Sequence, residues 1–188
     1  VVGEAEVNVS GTATWKTVLV SGTGGGGQGI FALDVTNPAG FTASNVMWEF
    51  TNADDQDMGY VIGKPQILKM RTSAYGVTPT YKWFAVVGSG VNNYTTSVAG
   101  NYGSGYPALF LLDLGKPAGT AWSLGTNYYK ISLPVNGDLT YLTSGSLTAT
   151  TPTGLVSFET ALGAAREVQK IYLGDLHGQI WKLDFSLQ

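Results

Sequence analysis

The sequence predicts an all-β fold: a section of a β-propeller, about three blades with long loops between strands. Three observations carry that expectation. Gly accounts for 26 of 188 residues and Tyr for 10, while only 12% of residues are charged. Gly is about twice and charge about half of ordinary usage, which suits turns and stacked sheets better than a helical bundle. A unit of strand, Gly-led turn, strand and closing Asp recurs along the chain. The returning strands are continuously apolar, as strands covered on both faces are.

The elements follow in order. In "KTVLVSGTGGGGQGIFALDV" (16–35), Thr17–Val20 is an apolar strand, Ser21–Gly29 its turn, and Ile30–Leu33 the return into Asp34. "VMWEFT" (46–51) is expected as the outer strand of this first blade, and "YVIGKPQILKM" (60–70) as the inner strand of the second. There Trp83–Val87 climbs to Gly88, and Ala108–Leu112 returns into Asp113. "LVSFETAL" (155–162) is either the inner strand of the third blade or a short helix interrupted at Gly163. "QKIYLGDLHGQIWKLDFS" (169–186) turns within Gly174–Gly178 and closes on Asp184.

Residues 1–188 are thus expected to form part of one propeller domain, with blades over about 1–52, 58–135 and 150–188. Blade repeats usually run about 40–50 residues, so these units carry insertions. The insertions fall in the turns, which marks one exposed rim, often the binding rim. Propellers close with about 4–8 blades. The chain opens "VVGEAEV", with neither an initiator Met nor a signal peptide, and is expected to be a section of something longer.

Composition also excludes partners. A net charge of −3 gives nothing to attract a phosphate backbone, so nucleic acid is not expected. The absence of Cys removes disulfides, thiolate nucleophiles and Cys-ligated zinc. No apolar run reaches the length of a transmembrane helix. "GTGGGGQG" contains Gly22, Gly24 and Gly27 in dinucleotide-fingerprint spacing, but a strand follows instead of the helix that would hold a pyrophosphate. His177, the single His, lies in a short turn with no G-x-S-x-G elbow anywhere in the chain. No catalytic residue is expected.

Two polar stretches are candidates for binding. "NADDQDMG" (52–59) clusters Asp54, Asp55 and Asp57, hard oxygen ligands that faintly suggest calcium, although the spacing matches no D-x-D-x-D-G loop. A solvated acidic turn between blades is the simpler expectation, and no metal is assigned. The long loop 89–107 offers Asn92, Asn93, Tyr94, Asn101, Tyr102 and Tyr106 on a Gly/Ser background. Tyr supplies contact area at low entropic cost and Asn adaptable hydrogen bonds, which suits protein or sugar contact.

Four stretches carry a family resemblance: "WKTVLVSGTGGGGQGIFALDVTNP" (15–38), "MWEFTNADDQDMGYVIGKPQI" (47–67), "KWFAVVGSGVNNY" (82–94) with "LFLLDL", and "IYLGDLHGQIWKLDFS" (171–186). The units resemble the quinoprotein-like propeller repeat and, more narrowly, the C-terminal propeller of the PilC/PilY family of type IV pilus tip-associated proteins. The resemblance implies a non-enzymatic pilus biogenesis factor and tip adhesin that supports assembly against retraction, and with it surface attachment and twitching motility. It implies a secreted protein at the cell surface, pilus tip and outer membrane of a Gram-negative bacterium. Minor pilins of the tip complex and a host-cell receptor are the implied partners, and a longer adhesive N-terminal region is absent here. No cofactor is evident. Family members often carry a calcium loop just before the "IYLGD" strand, and "SFETALGAAREVQK" there does not reproduce its ligands. Two alternatives belong to other classes: a quinoprotein dehydrogenase, whose vicinal Cys pair is missing, and a carbohydrate-binding propeller.

Overall fold

Side chains alternate across a strand, and that alternation sorts the apolar runs into three antiparallel sheets. The computed structural model describes residues 1–9, 11–91, 107–133, 155–175 and 180–186. The first sheet runs β1 (Val2–Val9), β2 (Thr12–Gly22), β3 (Gly29–Asp34), β4 (Val46–Thr51), each strand paired with the next in the chain. The second runs β5 (Gln66–Arg71), β6 (Tyr81–Gly88), β7 (Ala108–Asp113), β8 (Tyr128–Ser132) in the same manner. The third has β9 (Leu155–Leu162), β10 (Val168–Asp175) and β11 (Ile180–Asp184), with β10 central. Among the described residues there is no α-helix, only three-residue 3-10 turns.

The second sheet lies between the other two. Ala85, Val87, Ala108, Phe110 and Leu112 pack with Ala5, Val7, Val18, Val20, Ile30 and Phe50 of the first sheet. Their neighbours in sequence, Phe84, Val86, Leu109 and Leu111, pack with Phe158, Val168, Ile171 and Leu173 of the third. Every residue of β7 is therefore buried, which is why this run is apolar without a break. Phe50 and Phe110 meet at 5.4 Å between ring centroids, in the middle of the first interface.

The far face of the first sheet carries one apolar row beside polar residues such as Glu4, Thr17 and Glu49. Val2, Leu19, Leu33 and Val46 stand in register across all four strands. Val2 and Val46 are exposed, at 59% and 48%.

Strand β5 is shorter than the sequence predicts, and of the two alternatives for 155–162 the structure takes the strand. Strand β5 begins at Gln66 rather than at residue 60. Pro65 cannot donate to a ladder, and Tyr60 is instead bridged to Val91. The stretch 155–162 is a strand and not a helix: Phe158 is buried while Glu159 is exposed, and β9 pairs with β10 from Leu162 to Leu155. Strands β1 and β8 had no expectation, because neither has a Gly-led turn with a closing Asp.

Candidate functional site

The rim candidates Asn92, Asn93, Tyr94, Tyr102 and Tyr106 lie outside the described residues, as do Asn101 and His177. The stem of the rim loop is described, and it is tightly tied. Gly59 N–H donates to Ser89 O at 2.7 Å, and Tyr60 and Val91 exchange backbone bonds at 2.7 and 3.1 Å. Ser89 N–H donates to Ala108 O, and Ala108 N–H to Ser89 Oγ. Gly90 has φ +72°, and a Cβ there would stand 2.0 Å from Tyr60 O, so only glycine fits.

The acidic turn sits directly against this stem, and the structure corrects its expected solvation. Asp54 is exposed and its Oδ2 caps the turn by accepting the Thr51 N–H at 2.9 Å. Asp55 and Asp57 are not solvated: their side chains are 8% and 9% exposed. Lys130 of β8 reaches both, at 2.9 Å to Asp55 Oδ1 and 2.8 Å to Asp57 Oδ2. Tyr128 OH donates to Asp55 Oδ2 at 3.1 Å. Burial, and then the Asp55 carboxylate beside it, push the Tyr128 phenol up to about 12. Burial alone would lower the Lys130 ammonium, but its hydrogen bonds to Asp57 and Asp55 outweigh this and raise it. The carboxylates that suggested calcium thus hold a lysine, and they tie the first-to-second sheet connection to the second sheet's last strand.

The closing aspartates share one local device. Asp34 Oδ1 accepts from Thr36 N–H and Oγ1, Asp113 Oδ1 from Gly115 N–H, and Asp184 Oδ1 from Ser186 N–H and Oγ. Such Asx turns satisfy backbone donors as a strand ends. Their second oxygens take lysines: Lys16 at 2.8 Å, Lys82 at 2.7 Å and Lys182 at 3.4 Å.

Beside these devices lie two clefts with a common wall. One, of about 550 Å³, is lined by Glu6, Asn8, Tyr81, Lys82, Trp83 and Asp113 among others. The other, of about 470 Å³, is lined by Glu4, Trp15, Ile67, Lys69, Trp83 and Arg166 among others, residues of all three sheets. Trp15 is 60% exposed and meets Trp83 edge-on at 5.9 Å. Neither Trp stands out as a site residue in the sequence. Their signal was the Trp beside a Lys in both "WKT" and "KWF", the same lysines that bind the closing aspartates.

No family model matches the chain. Over 183 residues, 92% of its length, it is 32% identical to a type IV pilus biogenesis factor PilY1 homologue of Xylella fastidiosa. Over 171 residues, 90% of its length, it is 30% identical to type IV pilus biogenesis factor PilY1 of Pseudomonas aeruginosa. The crystal structure of the Pseudomonas aeruginosa PilY1 C-terminal domain matches with a TM-score of 0.65 at 26% identity, over 98% of this chain and 29% of that one. The chain belongs to the PilY1 family. It spans 10% and 11% of the length of the two curated relatives.

The PilY1 match bears on the calcium loop that the resemblance implies before β10. Residues 163–167 do not fit a calcium ion. Ala165 O accepts from Lys69 Nζ at 2.7 Å and Glu167 Oε1 from Gln169 Nε2 at 2.8 Å. Gly163 O and Glu167 O accept backbone N–H groups within the turn. Only Glu167 Oε2 is buried with no hydrogen-bond partner, and calcium takes about six to eight oxygens. Among the described residues no three acidic or His side chains are gathered as a metal would need, and no helix is long and apolar enough to cross a membrane.

Proposed function

We propose that this chain is a three-blade section of a propeller in a non-enzymatic pilus biogenesis factor that acts at the type IV pilus tip. The observation that carries the reading is the match over nine-tenths of the chain to proteins named for type IV pilus biogenesis, together with three stacked antiparallel sheets. The second sheet, apolar on both faces, supports the blade arrangement, and the apolar row Val2–Leu19–Leu33–Val46 suits a further blade against the first sheet. In this reading the propeller is a rigid scaffold that supports assembly against retraction and presents rim loops. Minor pilins are its partners within the tip complex and a host-cell receptor its partner in adhesion. The protein is then secreted and stands at the cell surface and outer membrane of a Gram-negative bacterium.

Immunogold labelling of the full-length protein on piliated cells, with a deletion strain scored for surface pili and twitching, tests this. Gold at pilus tips, with pili lost on deletion, is expected. Periplasmic gold with normal piliation would sink it. Removing residues 92–106 of the rim loop and keeping its tied stem is expected to leave the fold intact and to reduce adhesion, and normal piliation and adhesion in that variant would remove the rim-contact assignment.

One observation favours a second reading, carbohydrate binding: the exposed Trp15 face beside Trp83, with Glu4, Glu6, Asn8 and Lys82 around the two clefts. Stacking surface with polar groups nearby suits a sugar ring. A glycan array with the full-length protein and its Trp15→Ala variant separates the readings. A blank array leaves protein contact as the use of this surface.

A further inference from the structure

The turn between β9 and β10 contains a positive charge that comes from another sheet. Lys69 of β5 reaches Ala165 O, and its backbone makes an isolated parallel bridge with Glu167. The turn is closed internally by Gly163 N–H to Glu167 O at 2.8 Å and Arg166 N–H to Gly163 O at 3.0 Å. Arg166 holds φ +61°, in the left-handed region where Gly or Asn is at ease and a long side chain is not. The two internal bonds make a hairpin loop in which the left-handed position falls at 166, and Lys69 is the cross-sheet group that ties this loop to the second sheet. The same ammonium lies 4.5 Å from the Tyr81 ring centroid, which fixes it from the other side.

The charge also answers Glu167. That carboxyl is held below its ordinary range first by a backbone N–H and by Gln169, with Lys69 adding to the effect. The Gly163, Ala165 and Glu167 carbonyls and Glu167 Oε1 are thus committed to protein donors, while Glu167 Oε2 is buried without one.

We infer that Lys69 is the built-in cation of this turn, pinning residues 163–167 to the second sheet where the family resemblance implies a calcium ion, so that the turn is ordered without calcium. The consequence reaches the cleft, because Ala165 and Arg166 form one wall of the space that Trp15 and Trp83 share. That wall stands whatever the calcium concentration. The inference rests on the geometry of the turn and not on the pilus reading.

Hydrogen exchange on the full-length protein, followed by mass spectrometry over residues 160–168, tests both halves. Removing a charge-assisted bond in Lys69→Met should speed exchange of this segment at least about tenfold. Lys69→Arg, which keeps the charge and the donor, should stay within about threefold of wild type. Millimolar calcium or EGTA should change the wild-type segment less than about twofold, since there is no ligand set to fill. Wild-type exchange that slows on adding calcium would overturn the inference without any variant being made. Unchanged exchange in Lys69→Met would overturn it equally. The segments 84–87 and 108–112 serve as the internal control for folding. If Lys69→Met loosens these too, Lys69→Gln takes its place, and the same two outcomes decide.

Discussion

The closing aspartate appears three times, but only the first two copies are built into the fold. Asp34 and Asp113 reach a lysine on the neighbouring strand, and their side chains are 18% and 9% exposed. Asp184 reaches Lys182 on its own strand, at 3.4 Å, and is 37% exposed. The reason lies in the register. Lys16 and Lys82 stand two residues before Val18 and Phe84, the partners of Asp34 and Asp113. Asp184 pairs with Lys170, and two residues before that stands the buried Val168, which packs against the second sheet. The same three-residue turn therefore forms in each sheet from local chemistry, whereas its energetic weight comes from the strand beside it.

That comparison predicts a ranking of effects. The largest polar loss is expected where buried carboxylates lose their cation. Lys130→Met leaves Asp55 and Asp57 facing each other and should lower unfolding stability by about 2–4 kcal/mol, somewhat less than for a fully buried pair because Lys130 keeps 20% of its side chain exposed. Denaturant midpoints at pH 7 measure it. The alkaline limb gives a second readout. Tyr128 and Lys130 both have raised pKa values in the fold, so their contribution is complete below the unfolded values near 10. It is lost as pH rises through the folded values, about 12 for Tyr128. Tyr128→Phe should flatten that limb, and an unchanged limb would remove the network from the account.

Asp113→Ala comes next. It strips a Lys82 pair and the Gly115 N–H cap from a carboxyl on a wholly buried strand. A loss of about 1–3 kcal/mol is expected, discounted because Lys82 is half in solvent and relaxes into water. A loss equal to that of the same change at Asp184 would break the comparison, because burial would then carry no weight.

Much of this was legible in the sequence. Three strand–turn–strand–Asp units could be read, and in two of them, β2–β3 and β6–β7, a continuous apolar run stands between a glycine turn and an aspartate. The structure shows the cause of the unbroken run in β7: its two faces belong to two different interfaces. Strand β5 was read too long because Tyr60–Val61 are apolar, and no local pattern says that Tyr60 pairs with the stem of a loop. Asp55 and Asp57 looked like a solvated turn, or a faint calcium set, because Lys130 lies more than 70 residues away. Trp15, Trp83 and Lys69 meet only where the first sheet packs against the second. Local chemistry wrote the turns; the pairings that give them weight are long-range.

At the small end, acid separates the first and third aspartates. Burial would raise the Asp34 carboxyl, but bonds from Lys16 and Thr36 outweigh it and hold it below its ordinary value. Its contribution is therefore complete above the unfolded value near 4 and is lost as pH falls through the folded one. Asp34→Asn should cost about 1 kcal/mol at neutral pH, after discounting for solvent screening, and should flatten the slope of stability below pH 4. Asp184 has the lower carboxyl, drawn to about 2 by the Ser186 hydroxyl and N–H and then by Lys182. Yet each of these partners lies within two residues of Asp184, so the unfolded chain can form the same bonds and little of the lowering becomes folding stability. Carboxyl-carbon NMR should find Asp184 titrating near 2 in the folded protein, while Asp184→Asn changes the midpoint at pH 7 and the acid slope less than Asp34→Asn does. If Asp184→Asn instead flattens the slope as much as Asp34→Asn does, the turn alone stabilises each sheet and the facing-strand lysine is incidental.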